Sequence, residues 1–154
     1  MNRFLLIAAL AVAGFFAFAP TPGTSDQAGA AAAQASGSAR SDASNDAAID
    51  HAFANRLGNQ QVGGQGTVVN ILADDNNGSR HQRFIVRLAS GRTLLVSHNI
   101  DLAPRVDALR AGDTVAFYGE YEWNPKGGVI HWTHRDPQGR HPGGWLKHDG
   151  RTYQ

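Results

Sequence analysis

The sequence predicts a mainly β domain, and three observations carry that prediction. From Gly64 onward the spacing of apolar residues changes from a helical period to a period of two. The elements that follow read in the order β-β-β-α-β-β, and in a chain of 154 residues that order suits a five-stranded Greek-key barrel of the OB type. Finally, Leu109-Arg110-Ala111-Gly112-Asp113-Thr114-Val115 places a Gly-Asp turn between a short helix and the fourth strand, a frequent arrangement in such barrels. A small β-sandwich and an SH3-like barrel are the competing folds.

Met1-Asn2-Arg3 gives a positive start, and Phe4 to Ala19 runs apolar without a charge, which is the pattern of a secretory signal. The run falls a little short of the ~20 residues of a relaxed membrane span. Ala17-Phe18-Ala19 has the small-x-small form of a cleavage site but is followed by Pro20, and Ala28-Gly29-Ala30 lies far from the apolar run. Residues 1–19 are therefore a signal peptide or an uncleaved anchor. The expected location is the periplasm or the exterior, with attachment to the inner membrane only through this segment. Residues 20–43, rich in Ala, Gly and Ser, hold almost nothing large and apolar and read as a flexible tether. Residues 44–61 form a short helix and lead-in. Ser44 or Asn45 caps the helix, Ile49, Phe53 and Leu57 stand at i, i+4 and i+8, and Gly58 ends it. Its single apolar stripe requires docking onto the barrel, which occupies 62–154. The chain has no Cys, so the domain has no disulfide to hold it together and relies on its core.

Within the barrel the first strand is Thr67 to Leu72, and Asp74-Asp75-Asn76-Asn77-Gly78 is a turn. Strand two, His81 to Leu88, puts Phe84, Val86 and Leu88 inside and His81, Arg83 and Arg87 outside. Ser90-Gly91 leads into strand three, Thr93 to His98. A short helix follows, with Asp101 as cap and Pro104 in its first turn. Strand four runs Asp113 to Trp123, with Val115, Phe117, Tyr121 and Trp123 on one side. Asn124-Pro125-Lys126-Gly127-Gly128 connects it to strand five, Val129 to His134, and Asp149-Gly150 turns a last hairpin in Trp145 to Tyr153.

Several runs resemble a family of short exported bacterial proteins of unknown function. They are Gly66-Thr67-Val68, His81-Gln82-Arg83-Phe84, Ser97-His98-Asn99-Ile100-Asp101-Leu102-Ala103-Pro104, Gly119-Glu120-Tyr121-Glu122-Trp123-Asn124 and Gly127-Gly128-Val129-Ile130-His131-Trp132-Thr133-His134-Arg135-Asp136-Pro137. The resemblance covers the chain from about Val62 to its end and implies no activity. A weaker likeness, in element order only, is to periplasmic OB-fold proteins. A weaker one still is to thermonuclease-type nucleases, through Ile100-Asp101-Leu102-Ala103-Pro104; their catalytic Glu-Arg pattern has no clear match, so no role is carried over.

Two constellations could carry chemistry. If the OB topology holds, antiparallel pairing of strands one, two and three and parallel pairing of three with five gather polar residues at one pole. Asp74, Asp75, His81, His98, Asp101 and His134 are the candidate metal ligands there, and Asn99, Asp136 and His141 belong to the same group. Imidazoles with a carboxylate suit zinc, and a carboxylate-rich set suits magnesium or calcium. His98, His134 and Asp136 are the candidate catalytic groups, with metal-activated water or a free His as base. The competing reading is that these groups tie loops together. Glu120 and Glu122 lie toward the opposite pole and are left out, with Tyr118 and Glu120 exposed or covered by the N-terminal helix. Trp132 reads as barrel wall and Trp145 as the anchor of the last hairpin.

The second constellation is Arg83, Arg87, Arg92, Trp123, Asn124 and Lys126, on the strand two–three face and the loop after strand four, where OB barrels bind oligomers. From Val62 on, nine Arg and two Lys face nine carboxylates, an excess of two and no strong polyanion signature. The leading expectation is an exported binding module for an oligomeric or anionic ligand, nucleic acid or envelope glycan. The alternatives are a metal-dependent hydrolase, a phosphodiesterase or nuclease, at the polar pole, and a structural envelope protein without a small ligand.

Overall fold

A computed structural model describes residues 45–154, so the signal-like segment and the tether lie outside the described residues. Helix α1 covers 45–54. Seven strands follow: β1 Gln60–Ile71, β2 His81–Arg87, β3 Thr93–Asn99, β4 Thr114–Glu122, β5 Val129–His131, β6 Trp145–His148 and β7 Arg151–Tyr153. Hydrogen bonding runs β1-β2-β3-β5-β4, and β4 returns to β1, so the first five strands close on themselves. All pairings are antiparallel except β3 with β5, which is parallel as the element order predicts. The β6–β7 hairpin extends the sheet from β4, turned by Asp149 (φ 48°) and Gly150 (φ 72°), both left-handed as a tight hairpin turn requires.

Closure depends on β1, which is twice the predicted length and starts at Gln60 rather than in the Thr67 region. Its first part pairs with β4, from Gln60↔Tyr121 to Thr67↔Thr114, and its second with β2, across a bulge between Val68 and Asn70. The Gly-rich run ahead of Thr67 reads as a poor strand former. Gly64 belongs there because the Phe117 ring lies against its Cα, and a Cβ would come within 2.6 Å of Cζ. The core is what the alternation predicts: Val68, Phe84, Val86, Leu94, Val96, Val115, Phe117, Tyr121 and Ile130 are buried, with Leu146 added by the hairpin.

Helix α1 plugs the pole where β3 begins and β4 ends. Ile49 and Ala52 are buried in the core, and Leu57 packs against it. Asp46 accepts the Ser90 N–H at 2.9 Å, Arg92 pairs with Asp50 and lies over the Phe53 ring at 4.0 Å, and Trp123 Nε1 donates to the Phe53 carbonyl at 3.1 Å. The helix stops before Gly58: Arg56 takes the left-handed conformation (φ 54°) and Leu57 N–H bonds back to Ala52 O at 2.9 Å.

Two expectations are corrected. No helix forms between β3 and β4, where residues 100–113 are turns. Side chains from the strands take the backbone groups a helix would use. His98 Nε2 meets Pro104 O at 3.1 Å, and the Gln82 amide brackets Val106, donating to its carbonyl at 3.0 Å and accepting from its N–H at 2.9 Å. Strand β5 ends at His131 instead of His134. Trp132 has φ 52° and turns the chain out of the sheet, which frees the edge of β4 from Val115 to Tyr118 for β6.

Candidate functional site: a carboxylate–histidine shelf on the barrel wall

The turn at Trp132 has a chemical consequence. Residues 132–144 fold back over the outer wall of β4, and Gly144 seats the end of this loop. Its N–H bonds His134 O at 2.8 Å, and a Cβ there would run into Trp132 O. Asp136 organises the loop by accepting the N–H groups of Gln138, Arg140 and His141 at 3.0, 2.7 and 2.9 Å. The Gln138 N–H above all, with those of Arg140 and His141, holds its carboxyl below the usual range. His141 is thereby brought onto Glu120, with Nε2 2.7 Å from Oε2. The Trp132 ring stacks on the imidazole at 4.1 Å and 12°.

Glu120 sits in a row across three strands: Gln61 of β1 is its partner on one side and His131 of β5 on the other. His131 Nε2 lies 3.1 Å from Glu120 Oε1. Glu122, the next outward residue of β4, accepts the Asn59 N–H at 3.0 Å. Ligand atoms of Glu120, Glu122 and His131 all lie within 4.8 Å of one another. Burial lowers the pKa of His131, outweighing the pull of Glu120 and Glu122. Burial works against His141 too, but there the bonds to Glu120 and to the Pro142 carbonyl prevail and raise it. A depression of about 400 Å³, lined by Leu102, Trp132, Asp136, Arg140 and His141, opens beside the shelf.

Of the residues expected at the polar pole, Asp75, His81, His98, Asn99 and Asp101 are brought together, most of them already engaged, whereas Asp136 and His141 are not among them. His81 and Asp75 form a bridge and His98 lies opposite Gln82. Asp74 pairs with Arg105, Asp101 with Arg80 at 2.7 Å, and Asp75 lies 4.0 Å from Arg83. The Arg80 N–H, with its guanidinium, holds the Asp101 carboxyl low. His98 is fully buried, and its Nδ1 meets Thr133 Oγ1 at 2.8 Å while Nε2 meets Pro104 O. Burial pushes its pKa down to about 4. His134 is buried, its Nδ1 on Arg135 O at 2.8 Å and its ring against Trp132. Asp136 lies in the loop over β4. His141 is on the shelf with Glu120, the residue the sequence reading left unpaired.

On the β2–β3 face, Arg83, Ile85 and Arg87 alternate outward. A groove of about 230 Å³ runs between the 72–80 and 123–128 loops, over Leu72, Ile85 and Leu95, with Thr93 and Lys126 at its rim. Arg92 and Trp123 are spent on docking α1. Asn124 caps its own loop, accepting the Lys126 and Gly128 N–H groups at 2.9 and 3.2 Å. A depression of about 540 Å³ at Arg110, Asp113 and His148 offers less chemistry, because Asp113 already accepts from both Arg110 N–H and His148.

Residues 32–154 match the family described as "Protein of unknown function (DUF3465)". The chain belongs to this family. A search of the curated proteins returns no match. The DUF3465 match extends from residue 32, so it takes in α1 as well as the barrel, and a domain that includes its helical plug fits the contacts at Asp46, Asp50 and Phe53. Neither the description nor the fold supplies a ligand, since one barrel hosts many functions.

Three site residues escaped the sequence reading: Glu120, Glu122 and His131 in their shared role. Glu120 and Glu122 stand two apart on a strand and so share a face, a readable signal. What could not be read was that Trp132 would take a positive φ and carry His141 back to them.

Proposed function

We propose that this DUF3465 domain is a binding module that holds an anionic oligomer along the outer face of β2 and β3. The observation that carries the proposal is the groove over Ile85 and Leu95, flanked by Arg83, Arg87 and Lys126. Arg87 and Lys126 have no ion-pair partner among the described residues, so their charge is available to a ligand. The aliphatic floor, with Trp123 committed to α1, favours contact with the ligand's charged backbone over stacking of its bases or sugars. An exported chain would meet such a polymer as nucleic acid or acidic envelope glycan. Fluorescence anisotropy with a labelled oligothymidylate and a labelled polyuronate tests this. Three cations predict a log–log salt slope of about −2 for single-stranded nucleic acid. Arg87→Ala with Lys126→Ala should abolish most of that slope and weaken binding about ten-fold or more. Affinity unchanged by the double substitution removes this face from consideration.

A further inference from the structure

We propose that Glu120, His131 and His141, with Glu122 beside them, form a binding site for one zinc-class divalent cation on the barrel wall, separate from the β2–β3 groove. Among the described residues, two buried side-chain polar atoms lack a hydrogen-bond partner, Gln61 Nε2 and His131 Nε2. Both belong to residues directly opposite Glu120. His131 Nε2 comes within 3.1 Å of Glu120 Oε1, yet no aligned hydrogen bond forms. A buried ring nitrogen left unsatisfied beside a carboxylate calls for a missing partner.

His141 is held in a fixed orientation. Its Nδ1 lies 2.8 Å from the Pro142 carbonyl, an acceptor only, so Nδ1 carries a proton in either charge state, and in the neutral ring Nε2 presents its lone pair. That lone pair faces the Glu120 carboxylate at 2.7 Å. Two acceptors at this distance repel unless a proton or a cation lies between them. A carbonyl on the far nitrogen is also the arrangement that orients metal-ligating imidazoles.

Two imidazoles and two carboxylates are a nitrogen–oxygen set suited to zinc and its neighbours. Ligand atoms on one tetrahedral ion lie about 3.3 Å apart, given bonds of about 2.0 to 2.1 Å. Ligand atoms of Glu120, Glu122 and His131 already lie within 4.8 Å of one another, and His141 Nε2 joins them through Glu120 Oε2 at 2.7 Å. No Arg or Lys pairs with Glu120 or Glu122 among the described residues, in contrast to the acids of the polar pole. Trp132 stacked on His141, and the Asn59 N–H on Glu122, limit the movement available to two of the ligands. The depression lined by Trp132, Arg140 and His141 gives an ion an entrance and leaves room for an exogenous ligand.

The test uses the whole chain, stripped with EDTA and dialysed, and titrated with zinc, cobalt(II) and magnesium. One zinc per chain, a rise in Tm that grows with ion concentration, and visible cobalt bands of a nitrogen–oxygen site are expected. Glu120→Gln, His131→Ala and His141→Ala should each weaken binding about ten-fold or more. Because a shelf variant can lose fold as well as ligand, the wild-type protein is also followed by imidazole nitrogen NMR. Zinc should shift Nε2 of His131 and His141 and leave His98 and His148 in place. Absence of stoichiometric binding, binding that survives the Glu120→Gln/His131→Ala double change, or shifts confined to other histidines overturns the site. In each of those cases the shelf is a metal-free His141–Glu120 ion pair.

Discussion

The polar pole and the shelf hold nearly the same residue types and differ in what those residues have left to offer. At the pole Asp74, Asp75 and Asp101 each face an arginine, and both nitrogens of His98 are taken by Thr133 and Pro104. On the shelf the partners of Glu120 and Glu122 among the described residues are imidazoles and a backbone N–H. A cluster of titratable groups is therefore not yet a site, and the account of partners decides. The pole spends its polar groups on closing loops: Asp101 fastens Arg80 ahead of β2, and His98 and Gln82 pin residues 104–106 over the barrel end. The shelf keeps an unsatisfied nitrogen and an open depression.

The strongest way to break this contrast is to remove His98. Its imidazole is fully buried and makes two hydrogen bonds, so His98→Ala leaves a cavity and strands the Pro104 carbonyl. Chemical denaturation should show a loss of about 2 to 4 kcal/mol. A loss below about 1 kcal/mol would mean that the pole is not a structural joint. The same residue sets a pH dependence. Its folded pKa near 4 lies below the ordinary 6.5, so between these values the unfolded chain binds a proton that the folded chain refuses. Stability present above pH 6.5 is thus lost on acidification, by about 3 kcal/mol on reaching pH 4. His98→Gln should flatten that part of the profile, and an unchanged slope would assign it to other groups.

The next effect falls on the other region. Gly144→Ala puts a Cβ into the Trp132 carbonyl and 2.5 Å from that of Tyr118, so the 132–144 loop must lift from β4. A cost of about 1 to 3 kcal/mol is expected. More telling is the imidazole NMR signal of His141, which should move toward that of a solvated histidine as its bond to Glu120 breaks, while His98 stays unchanged. If His141 keeps its signal, the loop is not what carries it to the shelf.

These two regions also mark how far the sequence could be read. The pole was legible because it follows from strand order: alternation at Phe84, Val86, Val115 and Phe117 gives faces, pairing order gives neighbours, and His81, His98 and the Asp74-Asp75 turn follow. The shelf was not, because it depends on one backbone angle. Extending β5 through Trp132 to His134 keeps the alternation and sends His141 toward the pole. A tryptophan at φ 52° is a costly choice that local propensity does not announce, and it is held by its stack on His141 and the seat of Gly144. The helix expected after Asp101 failed for a related reason. Pro104 and Val106 have their backbone groups claimed by side chains of two strands, His98 from six residues away and Gln82 from twenty-four, which helix propensity does not register.

The smallest expected effect is the sharpest test of partner accounting. Arg80→Ala removes an exposed guanidinium from Asp101, and such surface pairs contribute about 0 to 1 kcal/mol. The Asp101 carboxylate keeps its bond from the backbone N–H of residue 80 at 2.7 Å, so the loop should hold and Tm should barely move. The substitution does expose one unpaired oxygen beside β2. If paired arginines alone kept the pole from binding cations, zinc titration of Arg80→Ala should show a second equivalent. The expected result is the wild-type stoichiometry, because the freed carboxylate is exposed and still accepts the residue 80 N–H, and His98 remains buried with both nitrogens engaged. A second bound ion would show that imidazole orientation matters less than charge neutralisation, and would return the pole to candidacy as a site.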